Sequence, residues 1–118
     1  MTATDENERR TERRWEVCLD AVWEGKSGNY NARVTDLSEG GCYIDTMGEA
    51  SEGEILNFKV LLPGGDWLVL SGEVAHKNAP LGFGVRFADL TEDQLEQLRS
   101  LIEELQRPHN PVTAILSF

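Results

Sequence analysis

Cysteine and histidine are scarce in this chain, and long apolar stretches are absent. Cys18 and Cys42 are its only cysteines, they form no CxxC pair, and only His76 and His109 could assist them in binding a metal. We therefore expect no metal site, and we predict that both cysteines are reduced packing residues.

The sequence also lacks the marks of a membrane or secreted protein. No run approaches the ~18 apolar residues of a membrane span. Residues 1–6 have neither the basic start nor the apolar stretch of a signal peptide. We therefore expect a cytoplasmic protein.

Positive charge is in short supply as well. The chain has 11 Lys and Arg against 21 Asp and Glu, which gives a net charge of −10. Nucleic acid polymers and anionic membranes bind broad basic surfaces, so we expect neither as a partner. Four of the 11 basic residues nevertheless fall within residues 9–14. Such a local cluster can hold a small anion, although an arginine run alone more often marks a solvated surface.

A second polar segment follows downstream, Asp36-Leu37-Ser38-Glu39-Gly40-Gly41. Guanidinium groups bind phosphate and the acceptor edge of guanine in a bidentate manner, and a carboxylate accepts hydrogen bonds from guanine N–H groups. The two segments together suit a guanine nucleotide. Taken singly, the aspartate, serine and glycines are typical of an ordinary turn.

Both segments match a known pattern in the expected order. Arg10-x-x-x-Arg14 is followed by Asp36-x-Ser38-x-x-Gly41, and residues 82–87 form a late Gly-rich strand motif. Over roughly residues 8–106 the chain resembles the PilZ family of cyclic-di-GMP receptors. Arg9-x-x-x-Arg13 fits the first motif equally well. We prefer the pair Arg10 and Arg14 because Arg14 directly precedes the first predicted strand.

The resemblance implies a ligand site without catalytic or metal-binding residues. Arg10 and Arg14 would bind phosphate oxygens and the O6/N7 edge of guanine, Asp36 would accept from its N1 and N2 donors, and Ser38 would contact a phosphate or base. Gly41 would be needed for backbone conformation or for close approach to the ligand. The predicted ligand-binding residues are Arg9, Arg10, Arg13, Arg14, Asp36, Ser38, Gly40 and Gly41.

Alternating apolar residues predict a mainly β fold, a six-stranded antiparallel β-barrel with a C-terminal α-helix. The predicted strands span residues 15–23, 30–35, 42–47, 55–62, 67–76 and 81–88, with 36–41 as a turn. Thr91 and Gln94 form a capping box, and Leu95, Leu98, Ile102 and Leu105 recur at helical spacing up to Gln106. This helix is expected to cover an open side of the barrel.

We divide the chain into a flexible N-terminal arm (1–14), a PilZ-like barrel and helix (15–106) and a C-terminal tail (107–118). The resemblance favours a non-enzymatic receptor or adaptor that binds cyclic-di-GMP, needs no cofactor, and changes its surface to regulate a protein partner. The arm would become ordered on binding. A ligand-independent protein–protein adaptor is the alternative, and a nucleotide-processing enzyme is a third.

Overall fold

The computed structural model describes residues 13–76 and 81–106, which form six strands and one helix. The arm up to residue 12 and the tail from residue 107 lie outside the described residues. The strands are β1 (Trp15–Gly25), β2 (Gly28–Leu37), β3 (Gly41–Asp45), β4 (Ile55–Leu61), β5 (Trp67–His76) and β6 (Phe83–Phe87), and the helix is α1 (Glu92–Gln106).

The strands close into an antiparallel barrel in the order β1-β2-β3-β6-β5-β4, which confirms the predicted fold. Closure depends on β1, which pairs with β2 on one side and with β4 on the other. Ala21 is opposite Ala32 in the first pair and opposite Val60 in the second. Because every strand has two neighbours, the sheet leaves no edge open to further pairing.

The core lies inside this barrel and follows the alternation of the sequence. Leu68, Leu70 and Val74 on β5 are all at most 1% exposed. Trp23 is fully buried, stacks on Tyr30 with the ring centroids 4.6 Å apart, and donates its indole N–H to the Thr46 hydroxyl at 3.0 Å. This bond satisfies the one polar group of the tryptophan, so its large ring can be buried without an unpaired donor.

Helix α1 begins with the predicted capping box. The Thr91 N–H donates to Gln94 Oε1 at 2.8 Å, and the Gln94 N–H donates to Thr91 Oγ1 at 3.1 Å. Leu98 and Ile102 are buried as the helical spacing predicts, and Leu101 joins them in the barrel core. These three side chains join the helix to the barrel core.

The predicted boundaries differ by up to two residues, and the difference that affects the site is at the end of β2. Asp36 and Leu37, assigned to a turn from the sequence, continue β2, where Asp36 pairs with Glu16 on β1 and with Tyr43 on β3. The turn therefore starts only at Ser38. β3 and β6 are shorter than predicted. Among the described residues no helix is long and apolar enough to cross a membrane.

Candidate functional site

Two of the predicted site residues contact each other directly. Arg14 Nη1 donates to Asp36 Oδ1 at 2.7 Å, and the two side chains are 48% and 32% exposed. The geometry follows from the β1–β2 pairing. Trp15 is opposite Leu37 and Glu16 is opposite Asp36, so the residue just before β1 lies beside the end of β2. Arg14 is thereby held at the start of the Ser38 turn.

The neighbouring arginine has a different contact. The Arg13 guanidinium lies 4.4 Å from the centroid of the Trp15 ring, a cation–π arrangement. Arg13 and Arg14 therefore separate, one towards an aromatic ring and the other towards the Asp36 carboxylate. Arg9 and Arg10 lie outside the described residues.

Ser38 is fully buried and holds the turn through its hydroxyl. The Ser38 Oγ accepts from the N–H groups of Gly40 and Gly41, both at 3.1 Å, and donates to the Gly41 carbonyl at 3.2 Å. The Ser38 N–H donates to the same carbonyl at 2.9 Å. A hydroxyl has one donor and two acceptor positions, so these contacts use its full capacity within the turn.

Gly41 is required by the close approach of β6. A Cβ built on Gly41 would lie 2.2 Å from the carbonyl oxygen of Val85, a backbone atom that cannot rotate away. Gly40 accepts a hydrogen bond from the Phe87 N–H at 2.9 Å. Both glycines therefore join the turn to β6. The close approach at Gly41 in this structure is to another strand, and the predicted approach to a ligand stays a prediction.

Charge around the Asp36 carboxylate is mixed. Glu16, its partner across β1 and β2, is exposed on the same face and adds a second negative group. Arg86 on β6 is exposed and lies opposite Gly41, so it adds a guanidinium beyond the turn. Burial raises the pKa of the Cys42 thiol, and the Asp36 charge raises it further. Cys42 is therefore a neutral core residue and not a nucleophile.

The turn also faces the helix. Glu39 Oε1 lies 4.0 Å from Arg99 Nε of α1, and both side chains are about half exposed. Such exposed pairs contribute little to stability. Within residues 13–76 and 81–106, no group of three or more His, Cys, Asp or Glu side chains is placed to hold a metal ion.

Tyr43 is not among the residues predicted from the sequence, although it lies directly opposite Asp36 on β3. Its hydroxyl donates to the carbonyl of Leu81 at 2.7 Å. The signal in the sequence was slight, because Tyr43 follows the second motif by two positions and is part of an ordinary alternating strand. Only the pairing of β2 with β3 shows that an aromatic ring adjoins the predicted site.

The molecule is thus a small closed β-barrel domain, with Arg14 and Asp36 partly exposed on its surface beside the buried turn at Ser38. The chain belongs to the PilZ domain family, whose sequence profile matches residues 8–104. A search of curated proteins gave no match.

Solved structures share this fold at low sequence identity. The PilZ domain of CeSA from a cellulose-synthesising bacterium is 16% identical with a TM-score of 0.64, and the match covers 80% of this chain and 99% of that chain. YcgR from Escherichia coli, solved in complex with c-di-GMP, is 19% identical with a TM-score of 0.70, and the match covers 84% and 46%. The Bacillus subtilis inhibitor of motility MotI/DgrA is 16% identical with a TM-score of 0.65, and the match covers 84% and 53%. This chain therefore spans about half the length of YcgR and MotI/DgrA.

Proposed function

We propose that this chain is a cyclic-di-GMP-binding receptor or adaptor module that changes its surface on ligand binding and thereby regulates a protein partner. The observation that carries the proposal is the 2.7 Å contact between Arg14 and Asp36. These residues belong to separate motifs, 22 positions apart in the chain. Membership of the PilZ family and the complex of YcgR with c-di-GMP support this choice of ligand.

The Arg14–Asp36 pair suits a site that rearranges when a ligand arrives. A half-exposed ion pair contributes roughly 0–1 kcal/mol, so a ligand can replace it at little cost. In the proposal the Arg14 guanidinium turns to a phosphate or to the O6/N7 edge of guanine. The Asp36 carboxylate then accepts from guanine N1–H and N2–H₂.

The contact also supports the register that pairs Arg10 with Arg14. Arg14, and not Arg13, contacts Asp36, so Arg14 is taken as the second arginine of the R-x-x-x-R motif. The first arginine of the motif, four positions earlier, is then Arg10. Arg9 and Arg13 add positive potential or stack on a base. Ser38, Gly40 and Gly41 keep the turn in the shape that presents Asp36.

The proposal is non-enzymatic and includes no cofactor, nucleic acid polymer or membrane. Cys18 and Cys42 are both free thiols, which fits action in a reducing cytoplasm. In this proposal the protein partner recognises the N-terminal arm. A ligand that binds Arg10 and Arg14 would order the arm and so change the surface next to β1.

Calorimetric titration with cyclic-di-GMP, followed by a search for hydrolysis products, tests this function. We expect saturable binding without turnover. Cyclic-di-AMP should bind roughly 5- to 150-fold more weakly, since its adenine N1 is an acceptor and leaves the Asp36 carboxylate unpaired, at a cost of about 1–3 kcal/mol. Equal affinity for the two ligands would mean that the site recognises the phosphates and not the bases.

The matched variants are Asp36→Asn and Asp66→Asn, the second in the exposed loop between β4 and β5. Each removes one negative charge, but only the first should weaken cyclic-di-GMP binding. If the wild-type protein binds no cyclic-di-GMP, the receptor proposal is wrong and the ligand-independent adaptor takes its place. Turnover of the nucleotide would favour the enzyme.

A further inference from the structure

Tyr43 lies on the outer surface of the barrel, between Asp36 and the glycine-rich strand β6. It pairs with Asp36 on one side and with Gly84 on the other. Its chain neighbours Cys42 and Ile44 are 1% and 0% exposed and point into the core. Because successive residues of a strand face opposite sides, the Tyr43 side chain is on the outer face with the Asp36 carboxylate.

The Tyr43 ring is held in one place. Its hydroxyl donates to the Leu81 carbonyl at 2.7 Å. Its Cε2 atom lies 3.0 Å from the point where Gly82 would carry a Cβ, so the ring packs close to the backbone in front of β6. Tyr43 is only partly buried, so part of the ring remains accessible from solvent.

The Tyr43 phenol is also neutral. Partial burial and the nearby Asp45 and Asp36 carboxylates raise its pKa above the ordinary value. The hydroxyl therefore stays protonated and keeps its hydrogen bond to Leu81, and the ring brings no negative charge towards a phosphate. The Tyr43 ring is therefore fixed in position and uncharged, and it lies next to Asp36, the carboxylate proposed to accept hydrogen bonds from guanine.

We propose that Tyr43 is the stacking platform for the guanine base whose N–H groups Asp36 accepts. The inference rests on the proposed function and adds a residue outside both motifs. Directly opposed side chains on paired strands start about 4.5–5.5 Å apart. A base whose edge meets the Asp36 carboxylate is therefore within reach of the Tyr43 ring. Aromatic stacking strengthens binding of any base, so Asp36 supplies the selectivity and Tyr43 the contact area.

The alternative role for the Tyr43 ring is structural, since an aromatic side chain can cover neighbouring strand glycines. A purely structural ring would change the stability of the barrel and not the affinity for ligand. Stability and affinity must therefore be measured on the same variants.

The experiment compares Tyr43→Leu, Tyr43→Phe and Trp67→Leu by calorimetry with cyclic-di-GMP and by thermal unfolding. Trp67 is the control, because it is a partly exposed aromatic residue on β5 whose partner is Leu61 on β4, away from β3. We expect Tyr43→Leu to weaken binding about tenfold or more. Tyr43→Phe, which keeps the ring but loses the hydrogen bond to Leu81, should bind more tightly than Tyr43→Leu, and Trp67→Leu should stay within about twofold of wild type.

A second measurement does not depend on any variant. In the NMR spectrum of the wild-type complex, stacking should shift the guanine H8 resonance upfield and give Overhauser contacts to the Tyr43 ring protons. Absence of those contacts, or a folded Tyr43→Leu that binds like wild type, would overturn the Tyr43 inference and leave the receptor proposal intact. Failure of the wild-type protein to bind cyclic-di-GMP would overturn both.

Discussion

At the scale of single residues, Asp36 has neighbours of both signs. Arg14 donates to its carboxylate at 2.7 Å, while Glu16 faces it across β1 and β2. The Arg14 guanidinium offsets the negative charge of Asp36, and Glu16 lowers the positive potential that a phosphate would meet. We infer that affinity for an anionic nucleotide depends on how many arginines of the arm contact the ligand.

Arg14→Ala should therefore weaken cyclic-di-GMP binding at least about tenfold while leaving thermal stability almost unchanged. Loss of a charged hydrogen bond costs about 1.5–3 kcal/mol, but the exposed ion pair that is lost with it contributes little to folding. Calorimetry and thermal unfolding measure the two effects. Arg10→Ala should behave in the same way.

The control for the arginine prediction is Arg33→Ala, which removes an exposed arginine on β2 that pairs with Asp20 at 3.7 Å. It should leave binding within about twofold of wild type if general electrostatic attraction is minor. If only Arg9→Ala and Arg13→Ala reduce binding, the arginine register is shifted by one position.

Ser38→Ala should destabilise the domain by about 1–3 kcal/mol, because two amide groups of the turn lose their acceptor. Denaturant unfolding measures this loss, with Ser100→Ala on the exposed face of α1 as a nearly neutral control. Binding should weaken in parallel, since the turn presents Asp36. A Ser38→Ala protein with wild-type stability but poor affinity would instead assign Ser38 to direct ligand contact.

At the scale of secondary-structure elements, the barrel and the start of the helix were predicted correctly, whereas the end of β2 was not. The capping box at Thr91 and Gln94 was predicted because its two hydrogen bonds join residues three positions apart. The extension of β2 through Asp36 was missed because it depends on partners in β1 and β3. Turn-forming residue types at positions 36–41 favoured a turn, and pairing with two strands overrode that preference.

The candidate site shows the same limit. The sequence predicted Arg14 and Asp36 by resemblance to a family pattern, but it could not show that they touch. Tyr43 was missed since its importance comes from the strand opposite it. Leu101 was missed for a related reason, because the helix buries a wider stripe than the four positions that the spacing singled out.

The helix start can be tested separately from the site. Thr91→Ala should destabilise the domain by about 1 kcal/mol through loss of the cap, and Thr91→Ser should retain most of the stability. Thermal unfolding measures both. Affinity for cyclic-di-GMP should be the same in the two variants, and a parallel loss of affinity in Thr91→Ala would indicate that α1 is coupled to the turn through Arg99 and Glu39.

At the scale of the whole molecule, the closed barrel separates a cooperative body from its attached segments. Every strand has two partners, and α1 adds Leu98, Leu101 and Ile102 to the same core. Such a body opens as a unit, whereas a surface contact such as Arg14 with Asp36 can change without disturbing the strands.

Hydrogen exchange with and without cyclic-di-GMP tests whether the ligand affects the arm and turn without changing the barrel. We expect new protection mainly in residues 5–14 and in the turn at residues 36–41, because these segments would gain ligand contacts while the barrel is already paired. Residues 55–76, in β4 and β5, act as the internal control and should change little. Protection spread evenly over strands and helix would contradict closure of the arm and indicate only general stabilisation by bound ligand.

The three tryptophans of the barrel provide built-in fluorophores at separate depths. Trp23 is fully buried beside Tyr30, Trp67 is 42% exposed on β5, and Trp15 lies under the Arg13 guanidinium at the start of β1. Emission from Trp15 should therefore follow events at the arm, while emission from Trp23 reports unfolding of the core. With Trp67 replaced by phenylalanine, an unlabelled protein could report ligand arrival and loss of the fold in one spectrum.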